Sequence, residues 1–181
     1  GFGYGKFTLD PESLDLICNK LHLLKEQNAR KAVYNTMFDM VKSEKFPGSR
    51  LLQVVKHNIS KEKTEEVLSD VIRSIVPSVI GKYIPLDTYE KENSDMYEIL
   101  FGILESKAFI ASESTSQLLV RSVIGYASTD QQNENVFTWF NMMEGLHDIK
   151  FTKPDRHDMT RVIHESRKIS KADKDATMIR L

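Results

Sequence analysis

One cysteine, Cys18, stands in 181 residues. No internal disulfide can form, and no cysteine-based metal site can be built. A lone cysteine with mostly apolar neighbours fits a reducing compartment, so a cytoplasmic location is expected. Charge of either sign is also missing in excess. Lys and Arg number 25 against 26 Asp and Glu, a net charge of -1. Nothing in that balance draws the chain to nucleic acid or to an anionic membrane. Long apolar runs are absent as well. The longest, Ile72 to Ile84, is interrupted by Arg73, Pro77 and Lys82, so no segment reads as a bilayer span.

The familiar chemical signatures are missing too. His164-Glu165-Ser166-Arg167-Lys168 begins like the HExxH zinc motif but lacks the second histidine. His22, His57, His147 and His157 fall on different helices or links and read as surface or boundary residues. There is no GxSxG elbow, phosphate-binding loop or GxGxxG turn. Gly1, Gly3 and Gly5 are followed by no helix directly and read as a strand edge. No catalytic and no metal-binding residue is assigned.

What is present is helical periodicity. Hydrophobic residues make up 40%, enough to bury a core. Asp10 before Pro11 is a helix start, with Leu14, Ile17, Cys18 and Leu21 on one stripe. Ala29 to Phe46, ARKAVYNTMFDMVKSEKF, places Ala29, Ala32, Val33, Thr36, Met37, Met40 and Val41 at i, i+3, i+4 spacing. Pro47-Gly48 stops it. A third helix carries Leu51, Leu52, Val54 and Val55. Ser60 is expected to cap a fourth, striped by Val67, Leu68, Val71, Ile72 and Ile75. Pro77 marks a kink or boundary within that pattern. Asp87 to Ser94 reads as a polar link. Further helices carry Met96 to Leu104, Gln117 to Tyr126, Asn133 to Met143 and, opened by Pro154, Met159 to Ile163. The tail from Ala172 reads as a helix cut off at Leu181.

Helices of this length joined by short links predict an all-α chain, an α-solenoid of HEAT/ARM-like antiparallel pairs. The opening GFGYGKFTL alternates like one β-strand and has no partner strand later in the chain. Residues 1–10 are therefore expected to end an upstream sheet, and 11–181 to form a helical domain incomplete at its C-terminus.

Three groups of side chains stand out. Asp39 lies in sequence among Met37, Phe38, Met40 and Val41, so it is expected to be buried. A buried carboxylate needs a partner, and Arg30 and Lys42 are the candidates, making Asp39, Arg30 and Lys42 a structural anchor. Trp139 with Phe137 and Phe140 reads as core packing. Asp155, Asp158, Glu165, Asp173 and Asp175, mixed with basic residues, read as a solvated face.

Two segments carry a resemblance. GYGKFTLDPESLDLI resembles the junction in M1-family zinc aminopeptidases (gluzincins) between the β-sandwich domain and the C-terminal helical domain, matching at Gly3, Tyr4, Lys6 and Asp10. The helix from Ala29 is similar to that domain's RAxxWxxLWDMVRD helix at Arg30, Ala32, Phe38, Asp39, Met40 and Val41. The stretch from Phe151 to Ile163, with Arg156, is similar to a late helix. Lys31, Tyr34, Met37-Phe38 and Lys42-Ser43 depart from the pattern. The resemblance implies a non-catalytic helical cap that closes the active-site chamber and helps hold the peptide. It implies a zinc ion in the upstream catalytic domain and none in this chain. The implied partners are the upstream catalytic and β-sandwich domains, or a separate chain supplying them, and the peptide substrate. The departures leave open a catalysis-free α-solenoid scaffold or interaction subunit. The substrate-binding residues stay unassigned.

Overall fold

A computed structural model describes residues 8–106, 112–142 and 149–180. Among these the chain is all-α, with no β-strand. The expected strand at the N-terminus falls almost wholly on residues 1–7, outside the described residues. The chain gathers into two compact units that divide between Tyr89 and Glu90.

The first unit holds α1 (Pro11–Lys20), α2 (Gln27–Lys42), α3 (Gly48–Asn58), α4 (Glu65–Asp70) and α5 (Val76–Lys82). Asp10 starts α1 by accepting from the Ser13 amide at 2.8 Å and from its hydroxyl at 2.6 Å, as the Asp-Pro pair predicts. A 3-10 turn, Leu21–Leu23, continues it. Ser60 does not cap the fourth helix. It lies in a second 3-10 turn, Ile59–Lys61, and α4 begins only after Thr64. Glu62 causes the delay, since its carboxylate takes the amides of Lys63 and Thr64 at 2.9 and 3.0 Å. Those amides are thereby satisfied outside a helix.

Pro77 does not end its helix. A π-turn over Val71–Ile75 leads straight into α5, which carries Pro77 in its first turn. Proline has no N–H and its ring collides with the carbonyl four residues back. The wider turn, in which the Val76 amide bonds the Val71 carbonyl, displaces that carbonyl row and admits the ring.

Helix α2 ends in a Schellman turn. Lys45 N–H bonds Met40 O at 2.8 Å and Glu44 N–H bonds Val41 O at 3.0 Å. Glu44 occupies the left-handed position at φ 59°, where a Cβ is disfavoured. Glu44→Gly is expected to raise stability by about 0.5–1 kcal/mol, read as a higher denaturant midpoint at unchanged slope. A lower midpoint would mean that the glutamate side chain makes a compensating contact.

Gly48 opens α3 against the end of α5. A Cβ there would lie 2.4 Å from the Tyr83 carbonyl oxygen. That oxygen is backbone and cannot swing aside. Gly48→Ala is therefore expected to cost about 1–3 kcal/mol, although alanine is the better helix former. An alanine variant as stable as the parent in urea unfolding would refute this close approach.

In this unit α1 packs on α3, α2 on α3 and α4, and α3 on α5. Tyr34, Met37, Leu51, Leu52, Ile59, Leu68 and Ile72 form the fully buried core.

The second unit holds nearly all of α6 (Tyr89–Glu105), with α7 (Glu113–Tyr126), α8 (Asp130–Met142), α9 (Lys153–Glu165) and α10 (Lys171–Ile179). Most of the expected polar link from Asp87 to Ser94 is helix instead. Glu90 and Glu92 sit in the first turn of α6, where acidic groups favour the helix N-terminus. Helix α9 packs on α7, α8 and α10. Trp139 does stand in a core, but its ring partners are on α6. Its ring stacks on Tyr97 at 6.5 Å and on Phe101 at 5.6 Å between centroids.

Among the described residues no helix is long and apolar enough to cross a membrane.

Candidate functional site

Arg30 and Asp39 both sit on α2, yet they face opposite ways. Nine residues at about 100° each put Asp39 about 180° round the helix from Arg30. Arg30, Tyr34, Met37, Met40 and Val41 are buried, and Asp39 is on the far side. It is half-exposed and pairs with Lys42, one turn on. The expectation of a buried carboxylate is thus corrected. Adjacent residues on a helix point about 100° apart, so the apolar residues beside Asp39 in sequence do not put it on their face. The Lys42 ammonium also lies 4.6 Å from the centre of the Phe38 ring.

Arg30 instead meets Glu62, a residue the sequence did not single out. The pair is bidentate, with Nε to Oε2 at 2.7 Å and Nη2 to Oε1 at 2.8 Å. Arg30 is 8% exposed and Glu62 3%. Nη1 donates to the carbonyls of Leu24 and Lys25 at 2.6 and 2.9 Å. Nη2 also donates to the Thr64 hydroxyl at 3.0 Å. A guanidinium has five N–H donors in a fixed fork, and all five are used. Arg30 thereby clips the link before α2 to the link before α4. Burial works against the Glu62 charge, but the bonds from Arg30 and the Thr64 amide outweigh it. Its carboxyl therefore sits below the ordinary 4.5, and Arg30 sits above its own ordinary value through the bond to Glu62.

A second such anchor lies in the second unit. Asp155 closes a capping box with Thr152 at the start of α9 and receives Arg121 Nε at 2.6 Å. It is 3% exposed, which corrects its placement on a solvated face. Burial raises its pKa, the bonds from Thr152 and Arg121 lower it, and the balance is a lowered value. The T-x-x-D pattern at Thr152 is the signal that marks it in the sequence.

A polar cleft of about 360 Å³ lies between α1 and α3. Asp15, Cys18, Asn19, Arg50, Gln53 and His57 line it, with Val54 beneath. Asp15 and Arg50 close on each other at 2.7 Å. Just beyond, the His22 and His57 rings stand 6.5 Å apart. Asn58 organises this corner. Its Nδ2 donates to Cys18 O at 3.0 Å and Val54 O at 2.9 Å. Its Oδ1 therefore accepts from the His22 amide at 3.3 Å and from Nδ1 at 2.8 Å. That bond puts the neutral ring's proton on Nδ1 and leaves Nε2 as an acceptor.

The cleft offers a carboxylate, a guanidinium, two amides and an imidazole to a polar ligand. It pairs no nucleophile with a base, since the Cys18 thiol bonds neither imidazole. Among the described residues no three His, Cys, Asp or Glu side chains gather as metal ligands. His157 and His164 are exposed, and His164 Nε2 meets the Lys174 carbonyl at 3.1 Å. His147 lies outside the described residues.

No known family model matches the chain, and no curated protein matches it.

Proposed function

We propose that this chain is the non-catalytic helical cap of an M1-family zinc aminopeptidase, which removes N-terminal residues from peptides. The cap closes the active-site chamber and helps hold the peptide. What supports the reading best is the work done by the residues that carry the family likeness. Asp10 starts α1. Arg30 makes the five-bond clip. Met40 and Val41 are core. These are framework roles, as a cap domain requires, and none supplies a reacting group.

The solenoid reading belongs with this proposal. Within the first unit helices pack on the next and on the next but one, as α2 does on α3 and α4 and α3 does on α5. That is the neighbour pattern of stacked helix pairs. The departures from the family helix are mild in place. Tyr34 keeps an aromatic ring in the core, and Lys42 is exposed at the helix end. No observation favours the catalysis-free scaffold over the cap.

Zinc belongs to the upstream catalytic part, which also holds the substrate's free amino group. Among the described residues no three His, Cys, Asp or Glu side chains gather to hold the metal. The lone Cys18 supports a reducing, cytoplasmic setting.

The test is the intact mass of the polypeptide in its native source, with peptide mapping upstream of Gly1. A chain several-fold heavier than 20.8 kDa, carrying HExxH and a downstream Glu, is the expected result. A native polypeptide of about 20.8 kDa with no metallopeptidase bound to it would overturn the proposal. The isolated chain is expected to leave aminoacyl anilides uncleaved.

A further inference from the structure

Asn58-Ile59-Ser60 fits the acceptor pattern for N-linked glycosylation. Such acceptors belong on surface loops. This one does not. Asn58 is 1% exposed and ends α3 inside the first unit.

The chemistry of the modification collides with what Asn58 does. Glycosyl transfer forms a bond from the sugar's anomeric carbon to Nδ2. The bond from that carbon to the lipid pyrophosphate breaks, and one Nδ2 hydrogen leaves as a proton. Nδ2 has two hydrogens, and in the fold both are in use, on the carbonyls of Cys18 and Val54. A modified Asn58 keeps one. The bonded sugar would displace either the Cys18 carbonyl of α1 or the Val54 carbonyl of α3 itself, at a nitrogen that is enclosed where α1 meets α3. Both helices are held together at this corner, with Oδ1 also tied to His22. A hydrophilic oligosaccharide cannot be enclosed there without separating them.

We propose that a glycan on Asn58 and the native first unit exclude one another, so that folding of this chain requires Asn58 to stay unmodified. The consequence concerns where the chain can be made. In a compartment that glycosylates chains as they enter, modification competes with the closure of α1 on α3. In a compartment without that chemistry the sequon is silent. The inference stands on the Asn58 corner alone and does not depend on the aminopeptidase reading.

The structure supplies a clean control. Ser60 is exposed, so Ser60→Ala destroys the acceptor pattern and leaves Asn58 and its bonds in place. The full chain is sent through a eukaryotic secretory route with a cleavable leader, as wild type and as Ser60→Ala. Leu52→Asp, which places a charge at a fully buried position, runs beside them as an unfolded reference. Glycan occupancy at Asn58 is mapped in the protease-resistant, cooperatively melting fraction and in the retained or aggregated fraction.

The expected result is complete absence of the glycan from the folded fraction. Occupied molecules collect in the aggregated fraction, and Ser60→Ala restores folded yield. A wild type free of glycan throughout, while Leu52→Asp acquires one, supports the same exclusion, because only the fold then withholds Asn58. Glycosylated wild type that melts like Ser60→Ala and resists protease equally would overturn the proposal.

Discussion

Arg30→Ala is expected to destabilise the first unit by about 3–5 kcal/mol. The size comes from what is left behind. Glu62 stays buried with its charge, and the carbonyls of Leu24 and Lys25 lose their donor. Arg30→Lys is not a rescue, because an ammonium cannot spread five donors over this fork. Adding Glu62→Gln to Arg30→Ala removes the stranded charge and should recover part of the loss. Acid provides an independent check. The folded carboxyl of Glu62 titrates below 4.5. The ion pair's contribution is therefore complete above about pH 4.5 and fades as pH falls through the lowered value. In the alanine variant the unpaired carboxyl prefers its neutral form, so acid relieves it. The gap between wild type and Arg30→Ala should thus narrow as pH drops below that point. A gap that is constant from pH 7 to pH 3 would show that the clip acts through packing and not through charge.

Trp139→Ala is expected to cost the second unit about 3–5 kcal/mol. Its indole fills the space over two rings of α6, Tyr97 at 1% exposure and the half-buried Phe101. The near-parallel arrangement with Tyr97, 5° between planes, adds about 0.5–1.5 kcal/mol beyond buried area. Trp139→Phe keeps an aromatic surface and should lose markedly less. Trp139 is the sole tryptophan, so its removal silences the fluorescence signal. Circular dichroism and amide exchange along α6 and α8 must report instead. A loss below about 1 kcal/mol would mean that the two helices close over the gap.

Much of the helix framework is legible in the sequence because its signals are local. Asp10-Pro11 and Pro154 mark true starts. Of the stripe read on α2, however, only Met37, Met40 and Val41 are buried, Ala29 and Ala32 are exposed, and Arg30 and Tyr34 are buried outside it. Several of the errors share one cause, which is distance along the chain. The sequence offers Arg30 as a partner for Asp39, but it pairs with Glu62, 32 positions away on an unremarkable polar link. Asp155 looked like one more acid among several, because Arg121 is 34 positions off. The bonds of Asn58 leave no local trace, since its partners are Cys18 on α1, His22 in the turn after it and the Val54 carbonyl of α3. The cleft between α1 and α3 was illegible for the same reason. It is made of residues that are ordinary one by one and meet only when two helices are laid side by side.

The π-turn before Pro77 leaves a mark on how this stretch can change. Buried residues there come in pairs at Val67-Leu68, Val71-Ile72, Ile75-Val76 and Val79-Ile80. The pairs recur every four residues. An ideal helix turns in 3.6, so each step drifts about 40° off the core, and the wide turn takes up the drift. Deleting one residue between Val71 and Ile75 would narrow the turn, bring the Pro77 ring onto a carbonyl and swing the later pairs away from the core. Replacing Pro77 alone would remove the collision but leave the spacing of four, which still demands the wide turn. The extra residue and the proline are therefore bound into one inheritance. Either is hard to lose singly, and a descendant without the turn must have changed both, together with the spacing that follows.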